Sequence, residues 1–324
     1  MVRQRKIDKI LVTGGAGFIG SEFIRRVISQ RYKIVVVDNL SYSGDLKRIK
    51  SVYKDISFYK CDILSSSELE KIFKNEKIDI VIHFAAETHV DRSLKEVDNF
   101  IKTNILGTQN LIKLSLKYKP KKFVHISTDE VYGQSLKGRF KEDGIIKPHN
   151  PYAVTKASAE QLVRVAIESF GLNAVIVRPC NTYGLWQHPE KFIPVAILSI
   201  LKGRKIPVYG QGVQIREWLH VSDCVRGILT VLDKGHLGEV YNIGSNVEKS
   251  NLETASILLK LMNRDEKLIH FVADRPGHDY RYGINSSKLR SLGWKPEINF
   301  LRGLKQTIEW YSDNLEWVNT KLDK

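Results

Sequence analysis

A chain of 324 residues, 42% of them hydrophobic, can bury a large core in one domain or two smaller ones. No apolar run approaches the roughly 18–20 residues of a membrane-spanning helix, so such spans are excluded. The formal net charge is +15, but the lysines are scattered as on solvated helix faces. The only dense clusters are Lys117–Lys122 and the N-terminal arm, and no nucleic-acid motif accompanies them; a basic surface of this kind favours capture of an anionic small molecule.

In chain order, short β-branched runs alternate with amphipathic stretches. Strands are predicted at Ile10–Val12, Ile34–Val37, Ser57–Tyr59, Ile80–Ile82, Phe123–Ile126 and Ala174–Val177. Between them, Phe23, Val27 and Ile28 share one helical face, and longer helices are predicted over Phe100–Tyr118 and Tyr152–Phe170. Near-continuous apolar strands alternating with helices imply an α/β fold with a doubly wound, mainly parallel sheet. After Pro179 the rhythm loosens, with turn signals at Gly203, Gly210, Gly212, Gly277 and Gly293. A helix over Ser222–Lys234 and a strand at Val240–Ile243 return to the main sheet. Helices near Asn251–Met262, opened by a Ser250/Glu253 capping box, and Asn299–Trp317 belong to a smaller, interleaved C-terminal lobe. The expected division is residues 1–181 plus about 219–245 for the first unit, and about 182–218 plus 246–324 for the second.

Three features carry chemistry. The first is the loop Gly14-Gly-Ala-Gly17-Phe18-Ile19-Gly20, which follows a strand and opens a helix. Its glycines permit a tight turn and close approach to a pyrophosphate, which the helix N-terminus holds through free N–H groups. Asp38 ends the second strand, where a carboxylate accepts the adenosine ribose hydroxyls and repels a 2′-phosphate, favouring NAD over NADP. Asn39, Leu40 and Ser41 continue that loop. Asp62 and Ile63 end the third strand near the adenine, and Ala85 and Ala86 end the fourth, leaving room for the cofactor.

The second is Tyr152 with Lys156, one helical turn apart on a shared face. A neighbouring ammonium and an oxidised nicotinamide both favour a phenolate, so Tyr152 is read as the group that takes a sugar hydroxyl proton while hydride leaves the carbon. The third is Thr128-Asp129-Glu130 at the end of the fifth strand. Hydride transfer alone does not need paired carboxyls, but elimination of water does. Oxidation at C4 acidifies the C5 proton; Glu130 as base and Asp129 as acid then remove the elements of water across C5–C6. Two adjacent carboxyls in a partly desolvated site do not both ionise easily, which supplies one neutral and one charged group.

These stretches resemble the sugar-nucleotide branch of the extended short-chain dehydrogenase/reductase family, namely the dTDP-glucose 4,6-dehydratases. The resemblance runs through Ala85–Ser93, Ser127–Gly133, Pro151–Lys156, Arg178–Gly184, Pro189–Pro194, Arg216–Trp218, Tyr241–Gly244 and Asp274–His278. It implies a homodimer with tightly held, recycled NAD, while the basic N-terminal arm, with no apolar h-region or cleavage site, leads to the expectation of a cytoplasmic protein. It implies that Thr128 binds the C4 oxygen beside Tyr152, and that Thr88 and Asn181 touch the hexose or its phosphate. Lys191, Phe192, Pro207, Val208, Tyr209 and Asn251 would form the nucleotide cradle, with Arg216 and Arg275 on the diphosphate and His278 hydrogen-bonding nearby. Phe84, Ala85, Ala86, Thr103 and Thr182 would line the NAD. Departures fall at Ala153 and Val154, at Pro179-Cys180, and at Leu185-Trp186 and His188, all expected near the nicotinamide and sugar.

Rival readings are a UDP-sugar 4-epimerase or decarboxylase, against which Asp129-Glu130 argues, and a non-catalytic NAD-sensing protein. No HxxxH or HxH pair accompanies His89 or His278, so no metal is expected. Cys61, Cys180 and Cys224 form no CxxC pattern and read as buried thiols, with Cys180 bordering the site.

Overall fold

The computed structural model describes residues 8–30 and 32–322, so the basic arm Met1–Lys6 lies outside the described residues. The first half runs β1 (Lys9–Thr13), α1 (Phe18–Val27), β2 (Lys33–Asp38), β3 (Ile56–Lys60), α2 (Ser66–Glu76), β4 (Ile80–His83), α3 (Val90–Ser93), α4 (Val97–Phe100), α5 (Thr108–Tyr118), β5 (Lys122–Ile126), α6 (Pro151–Phe170) and β6 (Ala174–Pro179). With β10 (Val240–Ile243), these strands form one seven-stranded parallel sheet in the order β10-β6-β5-β4-β1-β2-β3. Every predicted strand of this sheet is present.

The alternation along β1 explains the two cores. Ile10 and Val12 pack with Ile34 and Val36 under α1 and α8 (Val221–Lys234), while Leu11 packs with Val35 and Val37 under α2 and α5. Both faces are covered, so polar alternation disappears from the strands. Strand order reverses between β1 and β4, which opens a crevice at the carboxyl edge.

The later chain adds β7 (Asn181–Tyr183), α7 (Phe192–Leu201), β8 (Ile206–Tyr209), β9 (Ile215–His220), β11 (Glu248–Ser250), α9 (Asn251–Leu261), β12 (Ile269–Val272), α10 (Ser287–Ser291), α11 (Phe300–Asp313) and α12 (Leu315–Leu322). A small β11-β9-β7 sheet and a β12-β8 pair cover a third core that includes Ile193, Ile197, Trp218, Leu258, Phe300 and Tyr311. The capping box at Ser250 and Glu253 is formed in both directions. Ile284, Leu289 and Trp294, expected in the second unit, pack into the core of the first.

Two predicted helices are interrupted. The stretch Phe100–Tyr118 passes through a π-helical segment, Ile101–Gly107, before α5. Its wide turn directs Asn104 inward, where its amide accepts from Glu87 N (2.8 Å) and donates to Glu87 O (3.0 Å) and Thr155 Oγ1 (2.9 Å). Such bulges persist where tertiary bonds replace the lost helical ones. The helix expected over Asn299–Trp317 breaks at Asn314, whose side chain donates to Trp310 O (2.8 Å) and so competes with the backbone ladder. No helix among the described residues is long and apolar enough to cross a membrane.

Candidate active site

The glycine loop turns where β1 meets α1. Gly14 has φ +69°, and a Cβ there would stand 2.6 Å from Ala85 N; one on Gly20 would stand 2.4 Å from Gly14 O. The loop is therefore pressed against the end of β4 and closed on itself, leaving its outer side free. Asp38 holds the loop from β2: its carboxylate accepts from Ala16 N (2.9 Å) and Leu40 N (2.8 Å). Burial raises its pKa, with those two amides opposing. Asn39 donates to Asp62 Oδ2 (2.8 Å), joining the ends of β2 and β3. Gly14, Gly17, Asp38, Asn39, Ser41, Asp62, Ile63, Phe84, Ala85, Ala86 and Thr103 line one continuous crevice. Leu40 turns the backbone beside Asp38, at φ 56°, and does not itself line the crevice. These residues fit a dinucleotide: glycines let the loop pack tightly against β4 and itself beside the crevice, and an acceptor carboxylate stands at the far end of that crevice.

Phe18, Ile19 and Gly20 carry the same cleft inward to Thr88, Thr128, Asp129, Glu130, Tyr152, Lys156, Asn181, Thr182 and Lys191. The catalytic set is assembled by α6 lying across the end of β5. Asn150 caps α6 by accepting from Ala153 N (2.9 Å), and Pro151 starts its first turn. Lys156 Nζ donates to Ile126 O (2.6 Å). Ser127 Oγ donates to Glu160 Oε2 (2.8 Å), and Arg178 Nε to the same oxygen (3.0 Å), so a fully buried ion pair clamps β5, β6 and α6 together.

The two carboxyls occupy different environments. Asp129 is 2% exposed, and its Oδ2 has no hydrogen-bond partner. Burial and then the Glu130 charge raise its pKa well above the usual carboxylate range, which favours its neutral form. Glu130 Oε2 instead receives Asn150 Nδ2 (3.2 Å) and lies 3.3 Å from the Tyr282 hydroxyl. Tyr152 departs from expectation. Burial pushes its pKa up, Glu130 adds to this, and only a hydrogen bond with Thr128 opposes. Burial also lowers Lys156 to about 8. The chain alone therefore keeps Tyr152 protonated, and a further positive charge is needed to favour its phenolate.

A second cluster extends the cleft through β8, β9 and the loop that follows β12. Lys191 Nζ donates to Thr88 O (2.9 Å) at the mouth. Arg275 pairs with Asp91 (2.8 Å), which also accepts from Tyr209 (3.0 Å), and the His278 ring stands edge-on to Tyr209. Arg216 lies over the Tyr282 ring, 4.5 Å from its centre. Asn181 Oδ1 and Arg275 Nε are buried without partners, leaving polar capacity for a ligand. Asn251 opens α9, bonded through its backbone to Gln214 O (3.0 Å). Phe192 stacks on Trp218, and Pro207 is exposed on β8.

Val208 is a correction. It is fully buried in the third core, because β8 alternates and Val208 takes the inward side. The departures at Ala153 and Val154 are also displaced from the pocket, the first packed inside α6 and the second facing solvent. Cys180 does line the cleft, but burial raises its thiol pKa, which makes it inert. Residues the sequence reading left unassigned include Arg48, Glu190 and Gln187, all lining the cleft, and Asp91 and Tyr282 beside it. Glu190 and Asp91 sit inside motifs that were legible; Arg48 had no signal, since its buried contacts with Ala16 O and Trp186 O come only from folding. Among the described residues, no group of three His, Cys, Asp or Glu side chains is placed to hold a metal.

Fold and site together define an enzyme of the dinucleotide-dependent dehydrogenase class to which two carboxyl groups have been added. Residues 11–307 match the family described as GDP-mannose 4,6 dehydratase. The dTDP-glucose 4,6-dehydratase of Streptomyces niveus is 42% identical over 318 residues, covering 95% of this chain and 94% of that protein. The crystal structure of the dTDP-glucose 4,6-dehydratase DesIV from Streptomyces venezuelae, with NAD bound, superposes with TM-score 0.94 at 39% identity, covering 97% of this chain and 99% of that one. A UDP-glucose 4-epimerase from Thermotoga maritima shares the fold at TM-score 0.89 and 32% identity, covering 95% and 99%. The chain belongs to the dTDP-glucose 4,6-dehydratase family.

Proposed function

We propose that the protein is an NAD-dependent dTDP-glucose 4,6-dehydratase, producing dTDP-4-keto-6-deoxy-glucose without net redox change. The observation that carries this is the buried Asp129, its Oδ2 without a partner, beside the hydrogen-bonded Glu130. An epimerase needs no such pair. NAD, when bound, supplies the acceptor for the hydrogen leaving C4, its return to C6, and a positive charge in the cavity that Tyr152 lines. Thr128 and Tyr152 hold the C4 oxygen, and Tyr152 takes its proton. The resulting ketone acidifies C5–H, and Glu130 removes that proton. Asp129 gives its proton to the C6 hydroxyl, which leaves as water. Glu130 then returns a proton to C5. The proton that Tyr152 took from the C4 hydroxyl replaces the one Asp129 gave to the departing water, so both groups regain their starting state before the next turnover. Arg216 and Arg275 hold the diphosphate, where guanidinium forks suit phosphate oxygens, and Lys191 belongs to the nucleotide cradle.

The reading includes a cytoplasmic homodimer. Ile101 and Leu106 on the π-helical segment and Val154 and Val165 on α6 are exposed on neighbouring, mutually packed elements; burial against a second copy would remove this apolar surface from water. It also keeps two units, with residues 284–294 reassigned to the first. The test is incubation with dTDP-glucose followed by mass spectrometry. Loss of one water, with a ketone trapped by borodeuteride, supports the reading. An unchanged mass directs the reading to a UDP-sugar epimerase and overturns it.

A further inference from the structure

Glu130 is 8% exposed, and that exposure faces the cleft in which the sugar would lie, so bound substrate covers it. Yet a base that takes a proton from C5 and later delivers one there either stores that proton or trades it with solvent. A chain of side chains runs from Glu130 to the surface. Tyr282 Oη lies 3.3 Å from Glu130 Oε2 and 2.7 Å from Asp279 Oδ2. The other Asp279 oxygen lies 2.6 Å from His149 Nδ1. Tyr282 and Asp279 are 2% and 3% exposed, while the His149 side chain is 32% exposed. The first open member is therefore the imidazole.

The distances set the direction of the hydroxyl. Tyr282 has one proton, and the shorter contact places it toward Asp279. Its lone pair then faces Glu130, ready to accept once Glu130 has taken the C5 proton. Burial and the Glu130 charge hold the Tyr282 pKa well up, so it passes a proton without dwelling as phenolate. His149 is fixed for this role. Its Cε1 stands 3.4 Å from where a Cβ on Gly133 would be, and its carbonyl lies 2.9 Å from where one on Gly277 would be. The next residue, Asn150, steadies the Glu130 carboxylate.

The geometry points to His149 as the outlet of a proton relay, Glu130–Tyr282–Asp279–His149, which equilibrates the proton taken from C5 with solvent before one is returned. This rests on the dehydratase reading above. In the relay, the Glu130 carboxylic acid gives its proton to the Tyr282 oxygen as Tyr282 passes its own to Asp279. Asp279 protonates His149 Nδ1, and the opposite ring nitrogen releases a proton to water. No electrons move. The outward transfer leaves His149 in its other tautomer and the Tyr282 hydroxyl reversed, and the return of a proton from water through the ring, Asp279 and Tyr282 to Glu130 restores each group. His149, Asp279 and Tyr282 act through Glu130, and so are positioning residues rather than catalytic ones.

The test runs the reaction in heavy water with unlabelled dTDP-glucose, at low conversion, with borohydride trapping. The deuterium content at C5 is read per product molecule by mass spectrometry and NMR, so it does not depend on how much product forms. Wild type is expected to yield product deuterated at C5. His149→Phe, and His149→Gln, which keeps polarity but cannot shuttle, are expected to retain C5 protium in most product molecules. Tyr282→Phe, which breaks the middle link, is expected to do the same. Loss of water with wild-type deuterium content in both His149 variants overturns the relay alone, as does protium at C5 in the wild-type product. No loss of water by wild type overturns the dehydratase reading, and the relay with it.

Discussion

Replacing Asp129 with Asn separates oxidation from elimination. Burial and the neighbouring Glu130 charge raise the Asp129 pKa well above the carboxylate range and so favour its neutral form. The amide therefore leaves the local charge unchanged and keeps an acceptor for Thr128 Oγ1, 3.3 Å away. What is lost is the proton for the departing C6 hydroxyl. A positioned general acid contributes roughly a hundredfold to ten-thousandfold, or about 3–5 kcal/mol of barrier. Elimination in Asp129→Asn should slow by that factor, while removal of hydrogen from C4, which depends on Thr128, Tyr152 and Lys156, stays close to wild type. In a rapid-quench experiment, reduced-nicotinamide absorbance should build up and persist while water loss, followed by mass, lags. Water loss at the wild-type rate would refute the role of Asp129. Equal slowing of absorbance and water loss would show that the residue serves oxidation instead.

Asp38→Gly removes the carboxylate at the far end of the crevice; NAD should bind about 2 kcal/mol more weakly, roughly thirtyfold in Kd, with NADP much less affected, as titration of cofactor fluorescence would show. Gly14→Ala forces a side chain into positive φ, against Ala85 N at 2.6 Å. Strain of about 1–2 kcal/mol and overpacking of about 1–3 kcal/mol should appear in a denaturant titration, together with loss of cofactor binding. Lys156 has a folded pKa of about 8, below its ordinary 10.5. Between those values the unfolded chain binds the extra proton, so the Lys156 contribution to stability rises with pH across that window and is least below pH 8. Lys156→Met should abolish this rise, roughly one kcal/mol per pH unit at most, in the difference between cofactor-free wild-type and variant denaturation curves.

Much of the fold was legible because the sheet is buried on both faces. Strands such as Ile34–Val37 then read as continuous apolar runs, and each chemical motif falls at a carboxyl end. The site residues in the crevice were legible for the same reason, since Gly14, Asp38, Thr128 and Tyr152 are tied to strand ends or to the helix after one. The second lobe was less so. The strands β7, β8, β11 and β12 are short and carry partial or mixed burial, as in the Ile206–Tyr209 alternation, which is why Val208 was placed in the cradle rather than in the core. The π-helical turn at Ile101–Gly107 has no sequence period of its own; Asn104 creates it through contacts with Glu87 and Thr155. The raised pKa of Tyr152 also escaped the sequence, because it depends on burial and on carboxyls that only the fold brings near.

The central claim is that one site oxidises C4, eliminates across C5–C6 and returns the same hydrogen to C6. The direct measurement supplies dTDP-glucose deuterated at C4 and locates the label in the product by NMR. Deuterium at C6 of a 4-keto-6-deoxy product is the result predicted here. Deuterium lost to solvent, or retained at C4 of an unchanged or epimerised sugar, would contradict it.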